Sequence, residues 1–263
     1  MAAYAGPMVE AELVELMRSA RAIVGFTGAG VSTESGIPDF RSPGGVWTRY
    51  DPRNFEFDRY VADPSVRALS WEMRHEFFAA PVSPNPAHDA FARLEGAGLS
   101  PGVITQNIDG LHQEAGSRRV VELHGTARTV MCLGHHPVNE PDGCGWTAPY
   151  TWALERLDAG EADPRCPDCG GLVKSATVSF GQMLFPGVVD EAVAMVSSAD
   201  LLVVVGSSLQ VYPAAALPVH AVDSGARLAI VNDEPTPFDG FADVVVQGRA
   251  GEVLGPAVDA LLG

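Results

Sequence analysis

Apolar residues recur along this chain with two different periods. Between residues 8 and 20, Val9, Leu13, Leu16 and Met17 fall on one face at helical spacing, which predicts an amphipathic helix. Short β-branched, apolar runs bounded by turn residues follow at 22–26, 102–105, 120–123, 176–180, 201–205, 227–231 and 243–246. Their near-continuous hydrophobicity is the pattern of parallel strands covered on both faces. Helical patterns lie between several of them, at 188–198, at 213–223 with Pro218 as an irregularity, and at 251–262. Strands alternating with helices predict an α/β fold with a doubly wound parallel sheet of the Rossmann type.

Two stretches break the alternation. Residues 46–84 are rich in aromatic and charged side chains, with helical spacing around Val66, Leu69, Met73 and Phe77, and read as a helical insert. Residues 129–174 hold all four cysteines and read as a small metal-stapled module. The nucleotide-binding domain is then assembled from 1–45, 85–128 and 175–263. A chain of 263 residues accommodates one large core with such an appendage. Neither repeats nor low-complexity tracts interrupt it.

Composition narrows the function classes. With 46% hydrophobic and 19% charged residues the chain is globular in character. No apolar run approaches the length of a membrane span, and residues 1–8 lack a basic segment followed by an apolar one, so a soluble, unexported, cytoplasmic protein with no membrane partner is expected. The net charge of −16 opposes binding to a phosphate backbone, so direct nucleic-acid binding is not expected. An acidic surface serves solubility and also attracts basic partners. The sole lysine, Lys174, against many arginines, is the usage of a GC-rich bacterial genome.

The first strand is followed by Gly28-Ala29-Gly30, where a dinucleotide fold brings backbone N–H groups to a pyrophosphate. Thr33 occupies the place of the third glycine, so these residues alone fit an ordinary strand-to-helix turn equally well. Cys166-Pro167-Asp168-Cys169 is a knuckle that sets two thiolates on one turn, as a tetrahedral Zn2+ requires. Cys132 and Cys144 form a more widely spaced first pair, and loop-closure cost grows slowly enough with length to allow it. Cys144-Gly145 repeats the step at Cys169-Gly170, which favours four cysteine ligands. His135, three residues after Cys132, is an alternative fourth ligand, and a disulfide is the alternative to a metal. A closed four-ligand site is structural and does no chemistry.

The run Gly28-Ala29-Gly30-Val31-Ser32-Thr33-Glu34-Ser35-Gly36-Ile37-Pro38-Asp39-Phe40-Arg41 resembles the NAD-binding signature of the sirtuins. Further matches follow in order: Gln106-Asn107-Ile108-Asp109-Gly110-Leu111-His112, Glu122-Leu123-His124-Gly125, Phe180-Gly181-Gln182, Gly206-Ser207-Ser208-Leu209 and Val231-Asn232. The resemblance spans residues 20 to 255 and implies an NAD-dependent protein-lysine deacetylase. Such an enzyme consumes NAD as co-substrate, acts on acylated lysine side chains of proteins, and yields nicotinamide and O-acetyl-ADP-ribose. It implies His124 as general base, with Asn107 and Asp109 as the other catalytic residues at the nicotinamide and ribose. Cofactor contacts are implied at Gly28, Ala29, Gly30, Ser32 and Thr33, and at Asp39, Phe40 and Arg41 of a covering loop. They continue through Gln106 and Ile108, then Gly206, Ser207 and Ser208, then Asn232, Asp233 and Ala250. Val178, Phe180, Gly181 and Val211 are implied on the substrate side, with peptide paired by β-augmentation. Cys132, Cys144, Cys166 and Cys169 are implied to hold one zinc ion, and the chain is expected to act as a monomer.

Three departures bear on specificity. The first two are Ser175, where the family often has proline, and Gln182, where it has glutamate; both concern peptide preference. The third is Trp71-Glu72-Met73-Arg74, which stands where members acting on acidic acyl chains carry Tyr-x-x-Arg. Arg74 supplies half of such a carboxylate grip. Acetyl is the expected acyl group, with succinyl-type or longer chains as the alternative. Mono-ADP-ribosyl transfer, a non-catalytic NAD- or metal-binding module, and a dehydrogenase are the other readings the residues leave open.

Overall fold

The computed structural model describes residues 7–79, 81–135 and 143–263. Its strands are β1 (Ile23–Thr27), β2 (Gly102–Thr105), β3 (Val120–Glu122), β4 (Gly125–Gly134), β5 (Thr147–Pro149), β6 (Leu172–Thr177), β7 (Leu201–Val205), β8 (Arg227–Asn232) and β9 (Val244–Gln247). The helices are α1 (Pro7–Ser19), α2 (Phe57–Ala62), α3 (Pro64–Ala79), α4 (Pro86–Gly96), α5 (Leu111–Glu114), α6 (Thr151–Asp158), α7 (Val188–Ser197), α8 (Leu217–Asp223) and α9 (Ala250–Leu262). Among the described residues no helix is long and apolar enough to cross a membrane.

Six strands form one parallel sheet in the order β3-β2-β1-β7-β8-β9. Its winding reverses between β1 and β7, the doubly wound arrangement expected from the sequence. Period-2 alternation sorts the strand side chains onto two covered faces. Leu201, Val203 and Val205 pack with α1, α4 and α9, whereas Leu202 and Val204 pack with α7 and α8.

The register sets the geometry of the whole rim. Glu122, Thr105, Thr27, Val205, Val231 and Val246 stand opposite one another across the six strands. Each segment that follows one of these residues therefore leaves the sheet at the same level.

Two sequence expectations change in form. Residues 176–180, read as a buried parallel strand, belong to neither face of the main sheet. β6 ends at Thr177 and pairs antiparallel with β4 in a three-stranded sheet ordered β5-β4-β6. Apolar periodicity alone does not say which sheet a strand joins. Residues 213–223 are divided into a 3-10 turn, Ala214–Ala216, and α8, with Pro218 in the first turn of α8, where its missing N–H costs nothing. Helix α4 was not read from the apolar pattern, although Asn85-Pro86 marks its start. The Asn85 side chain accepts from Ala87 N, and His88 completes the capping box.

The two inserts share one core. Trp71 of α3 packs with Val130, Tyr150, Ala153 and Val173, and with Cys132 and Cys166. Arg67, 3% exposed, grips the Asp163 carboxylate through Nε and Nη2 and donates through Nη1 to the carbonyls of Tyr60 and Val61. That guanidinium is engaged at all three nitrogens, and it rivets α3 to the cysteine-bearing segment.

Gly206 sits at φ +62°, and a Cβ there would lie 2.2 Å from Val31 N. Gly206→Ala is expected to cost more than about 1 kcal/mol, seen as a lower unfolding midpoint in urea.

Candidate active site and zinc centre

At the reversal point two loops meet backbone to backbone. Gly30 N donates to Gly206 O at 2.8 Å, and a Cβ on Gly28 or Gly30 would come within 2.8 Å of Gly206. The glycines are thus required by the contact between the two loops. The segment after them, Ala29–Ser35, is a 3-10 helix, not the α-helix usual after such a turn. Glu34 at its far end accepts from Gly251 N, capping the first turn of α9 beside Ala250.

The segment after β2 is fastened to its neighbours on both sides. Gln106 N donates to Thr27 O at 2.9 Å, and Gln106 Nε2 donates to Ser207 Oγ at 2.8 Å. Asn107 Nδ2 donates to Ser32 Oγ at 3.0 Å, and Ser32 Oγ donates to Asp109 Oδ2 at 2.8 Å. Asp109 Oδ1 accepts from Leu111 N at 2.9 Å. Ser32, Asn107 and Asp109, expected together from the sequence, are therefore one hydrogen-bonded group. Ile108 contributes its carbonyl to Ala127 N.

His124 follows β3 at the same level. Its Nδ1 lies 2.9 Å from the Gln106 carbonyl, which only accepts, so Nδ1 carries the proton and Nε2 presents a bare lone pair. Burial lowers the His124 pKa below the ordinary imidazole value, partly opposed by that hydrogen bond. The ring is neutral at physiological pH and oriented as a base.

A third group comes from the 39–42 loop. Asp39 Oδ1 accepts from the N–H groups of Arg41 and Ser42, and Arg41 Nη1 reaches Ser208 Oγ at 3.3 Å. Phe40 leans on Trp47, which contacts Phe55 and Phe180. Phe180 is 47% exposed, but its backbone N–H and carbonyl are both taken, by Phe55 and Phe57. Val178 N donates to His124 O, which ties the segment after β6 to the one after β3. Gln182 closes a turn by accepting from Ser179 N through Oε1, a bond a glutamate would make equally well.

The remaining expected contacts are more loosely placed. Asn232 Nδ2 donates to Glu234 O and Asp233 O accepts from Gln247 Nε2, so the residues after β8 are held by local bonds. Thr33 is exposed and bonds to Gly30 O. Val211 bonds through its carbonyl to Ala215 N. Ser175 is buried opposite Val130 in the small sheet. Trp71 is 1% exposed against Tyr150, while Arg74, on the same helix, donates to Thr177 Oγ1. Lys174 is buried beside it and bonds Thr177, and burial depresses both cations.

Sequence reasoning placed His112 in a matched motif without a role, and missed His88, Thr27, Thr105 and Asn85 as neighbours of this site. His88 Nδ1 accepts from Asn85 N, so its proton is on Nε2, 3.4 Å from Ser32 Oγ. The Asn-Pro-x-His cap signal could have placed it.

The four cysteine sulfurs lie within 4.8 Å of one another, with Cys132–Cys169 and Cys144–Cys166 each at 3.5 Å. Zn–S bonds of about 2.3 Å place tetrahedral sulfurs roughly 3.8 Å apart, so the donor set fits a structural zinc ion. Backbone N–H groups of Gly134 and Gly171 point at Cys132 and Cys169, as knuckle thiolates require. His135 is outside the set: its Nε2 bonds the Cys169 carbonyl at 2.8 Å. All four cysteines are free, so the disulfide alternative is not realised.

A sequence profile of the Sir2 family matches residues 28–213. The chain belongs to the Sir2 family. Sir2-family relatives include the "NAD-dependent protein deacetylase 2" of Streptomyces coelicolor, 49% identical over 90% of this chain and 95% of its own. The "NAD-dependent protein deacetylase 1" of Bradyrhizobium diazoefficiens is 46% identical over 94% of each. A solved structure described under the mechanism and regulation of Sir2 enzymes superposes with a TM-score of 0.85 at 42% identity, covering 97% of both chains. A Sir2 structure with p53 peptide and NAD+ gives 0.82 at 36%, covering 95% of this chain and 97% of its own.

Replacing Cys166 with serine should abolish stoichiometric zinc, read by metal analysis of the purified protein. The melting temperature should fall by more than about 5 °C, because a structural metal contributes folding energy directly.

Proposed function

We propose that this protein is an NAD-dependent protein-lysine deacetylase that forms nicotinamide, O-acetyl-ADP-ribose and free lysine. The observation that carries the reading is His124, with Nδ1 held by Gln106 O and Nε2 open, on the same rim as the glycine contact at the sheet reversal. NAD supplies the bond to be cleaved, between nicotinamide and ribose, and the acetyl oxygen of the substrate takes nicotinamide's place on the sugar carbon. The chain's residues bind, orient and move protons around that exchange.

Gly28, Ala29 and Gly30 with Gly206, Ser207 and Ser208 face the phosphates and adjoining ribose; the amides of Gly28, Gly30 and Gly206 are taken by Val205, Gly206 and Val231, so the other amides of these loops and the serine hydroxyls are left to hold the anion. Asn232, Asp233 and Ala250 serve the adenosine end, and Gln106, Ile108 and Thr33 complete the crevice. Asn107, Asp109 and Ser32 form the nicotinamide and ribose pocket, their mutual bonds fixing the direction of each donor. Phe40 shields the reactive carbon from water while Asp39 shapes its loop and Arg41 approaches phosphate. His124 Nε2 takes the proton of a ribose hydroxyl, whose oxygen attacks the acyl carbon; the lysine nitrogen then leaves as the free amine, and one water adds to complete O-acetyl-ADP-ribose. Val178, Gly181 and Val211 flank the peptide, with the exposed ring of Phe180 beside it. Cys132, Cys144, Cys166 and Cys169 hold zinc that organises the small lobe.

Residues 1–45, 85–128 and 175–263 make the nucleotide-binding lobe in this reading, and 46–84 with 129–174 make the second. Acetyl is favoured over acidic acyl groups because Trp71 is engaged in the core and offers Arg74 no partner for a carboxylate grip. Two relatives carry the broader name "NAD-dependent protein deacylase 2". The chain works as a cytoplasmic monomer on acylated protein side chains.

Incubation with NAD and an acetylated peptide should remove the acetyl mass from the peptide and release nicotinamide. Labelled protein without deacetylation would refute this in favour of ADP-ribosyl transfer. His124→Ala should reduce turnover by roughly 10²–10⁴-fold with NAD binding retained by calorimetry. Because burial lowers the His124 pKa below the ordinary imidazole value of 6.5, the acid limb of kcat/KM should be centred below that value; an acid limb centred above it would contradict the assignment.

A further inference from the structure

Beneath the rim lies a layer of hydrogen bonds with no role in the reaction as described above. His112, 1% exposed, places Nε2 at 2.9 Å from Thr27 Oγ1. Thr27 Oγ1 donates to Thr105 Oγ1 at 2.8 Å. A hydroxyl has one proton to give, so the proton between His112 and Thr27 belongs to Nε2. Thr105 Oγ1 also accepts from Asn107 N, at 3.1 Å. The chain of donors runs from His112 through Thr27 to Thr105, where it meets the backbone of Asn107.

The arrangement is not what stability alone would select. His112 Nδ1 is buried without a partner, which is a net cost that an aliphatic side chain would avoid. The ring is wedged edge-to-face against His88, with centroids 4.8 Å apart, and against Phe91 at 5.7 Å. Of the groups facing it, His88 is the titratable one. Both imidazoles give an Nε2–H to a hydroxyl, His112 to Thr27 and His88 to Ser32. Ser32 Oγ accepts from the Asn107 side-chain amide, whereas Thr27 reaches the Asn107 backbone N–H through Thr105.

We infer that His112 is a positioning residue for the reaction: its Nε2–H, acting through the Thr27 and Thr105 hydroxyls, fixes the backbone of Asn107 and so aims the Asn107 amide. The inference rests on the assignment of Asn107 to the nicotinamide pocket. It requires that loss of the proton donor harm turnover without harming the fold.

The test measures nicotinamide release and deacetylation of an acetylated peptide at saturating NAD, with a thermal melt of each variant. His112→Leu should lower kcat on the order of tenfold, the worth of one neutral hydrogen bond. The peptide KM should stay within about twofold, because uniform binding is untouched, and the melting temperature should not fall. His112→Gln, whose amide restores a donor, should recover most of the loss. Thr27→Val should match His112→Leu, and the double variant should be no worse than either single one. Unchanged kcat in Thr27→Val, equal losses in His112→Leu and His112→Gln, or a loss that tracks a lowered melting point would each overturn the inference. If His112→Leu does not fold, Thr27→Val decides. An active wild type with unaffected variants refutes only the role of His112, whereas a wild type that releases no nicotinamide refutes the deacetylase reading and this inference with it.

Discussion

The in-register pairing of six parallel strands is the constraint on which the site depends. Parallel ladders fix where each strand ends relative to its neighbour, and here the ends of β3, β2, β1, β7 and β8 form one line. His124, Gln106 to Asp109, Gly28 to Ser32, Gly206 to Ser208 and Asn232 come from five separate parts of the sequence. They converge because each stands within a few residues past that line. A one-residue slip of β2 against β1 would move Asn107 along the strand by about 3.3 Å and turn its side chain to the other face. The contact between Gly30 and Gly206 works in the same way, since the two loops approach closely only where β1 and β7 are adjacent.

The strands were legible because burial on both faces leaves a simple trace: runs such as Leu201 to Val205 have no polar member. Where a residue's surroundings come from distant segments, that trace disappears. Residues 176–180 look like any other apolar strand, yet their partners are β4 and the Phe55–Phe57 stretch. Ser32, Asn107 and Asp109 were legible as a family motif, whereas their mutual bonds were not, because the order of hydrogen bonds is a property of three dimensions. His112 closes a segment recognised as a motif, whereas His88 lies on α4, which the apolar pattern does not show. Their importance rests on neighbours 85 and 56 residues away in the chain, Thr27 and Ser32, and no local pattern encodes those contacts.

The small lobe solves a different problem. A unit this small has a limited apolar core and gains from added staples. The four cysteines close one end of it, the Arg67–Asp163 grip ties α3 to it, and Trp71 of α3 fills its centre. Trp71 is therefore unavailable for recognising an acyl chain, and the same packing that stabilises the lobe narrows what the neighbouring Arg74 can do. The Val178 N–His124 O bond links this lobe to the rim of the main sheet at His124, the proposed base.

The chain has a net charge of −16, yet the site is built chiefly from neutral donors and acceptors. His124 and His88 are held below the ordinary imidazole pKa by burial, and His112 at about 3. Protonating His88 would put a proton on the Nδ1 that accepts from Asn85 N, breaking the capping box of α4 and turning a donor toward a donor. Protonating His124 would occupy the lone pair on Nε2. One cause, burial of each ring, thus preserves both the base and the scaffold behind it, and at His88 it outweighs the opposite pull of the Asp109 and Asp89 carboxylates. An acidic surface then bears on how a basic protein segment approaches, while the chemistry beneath is insulated from it.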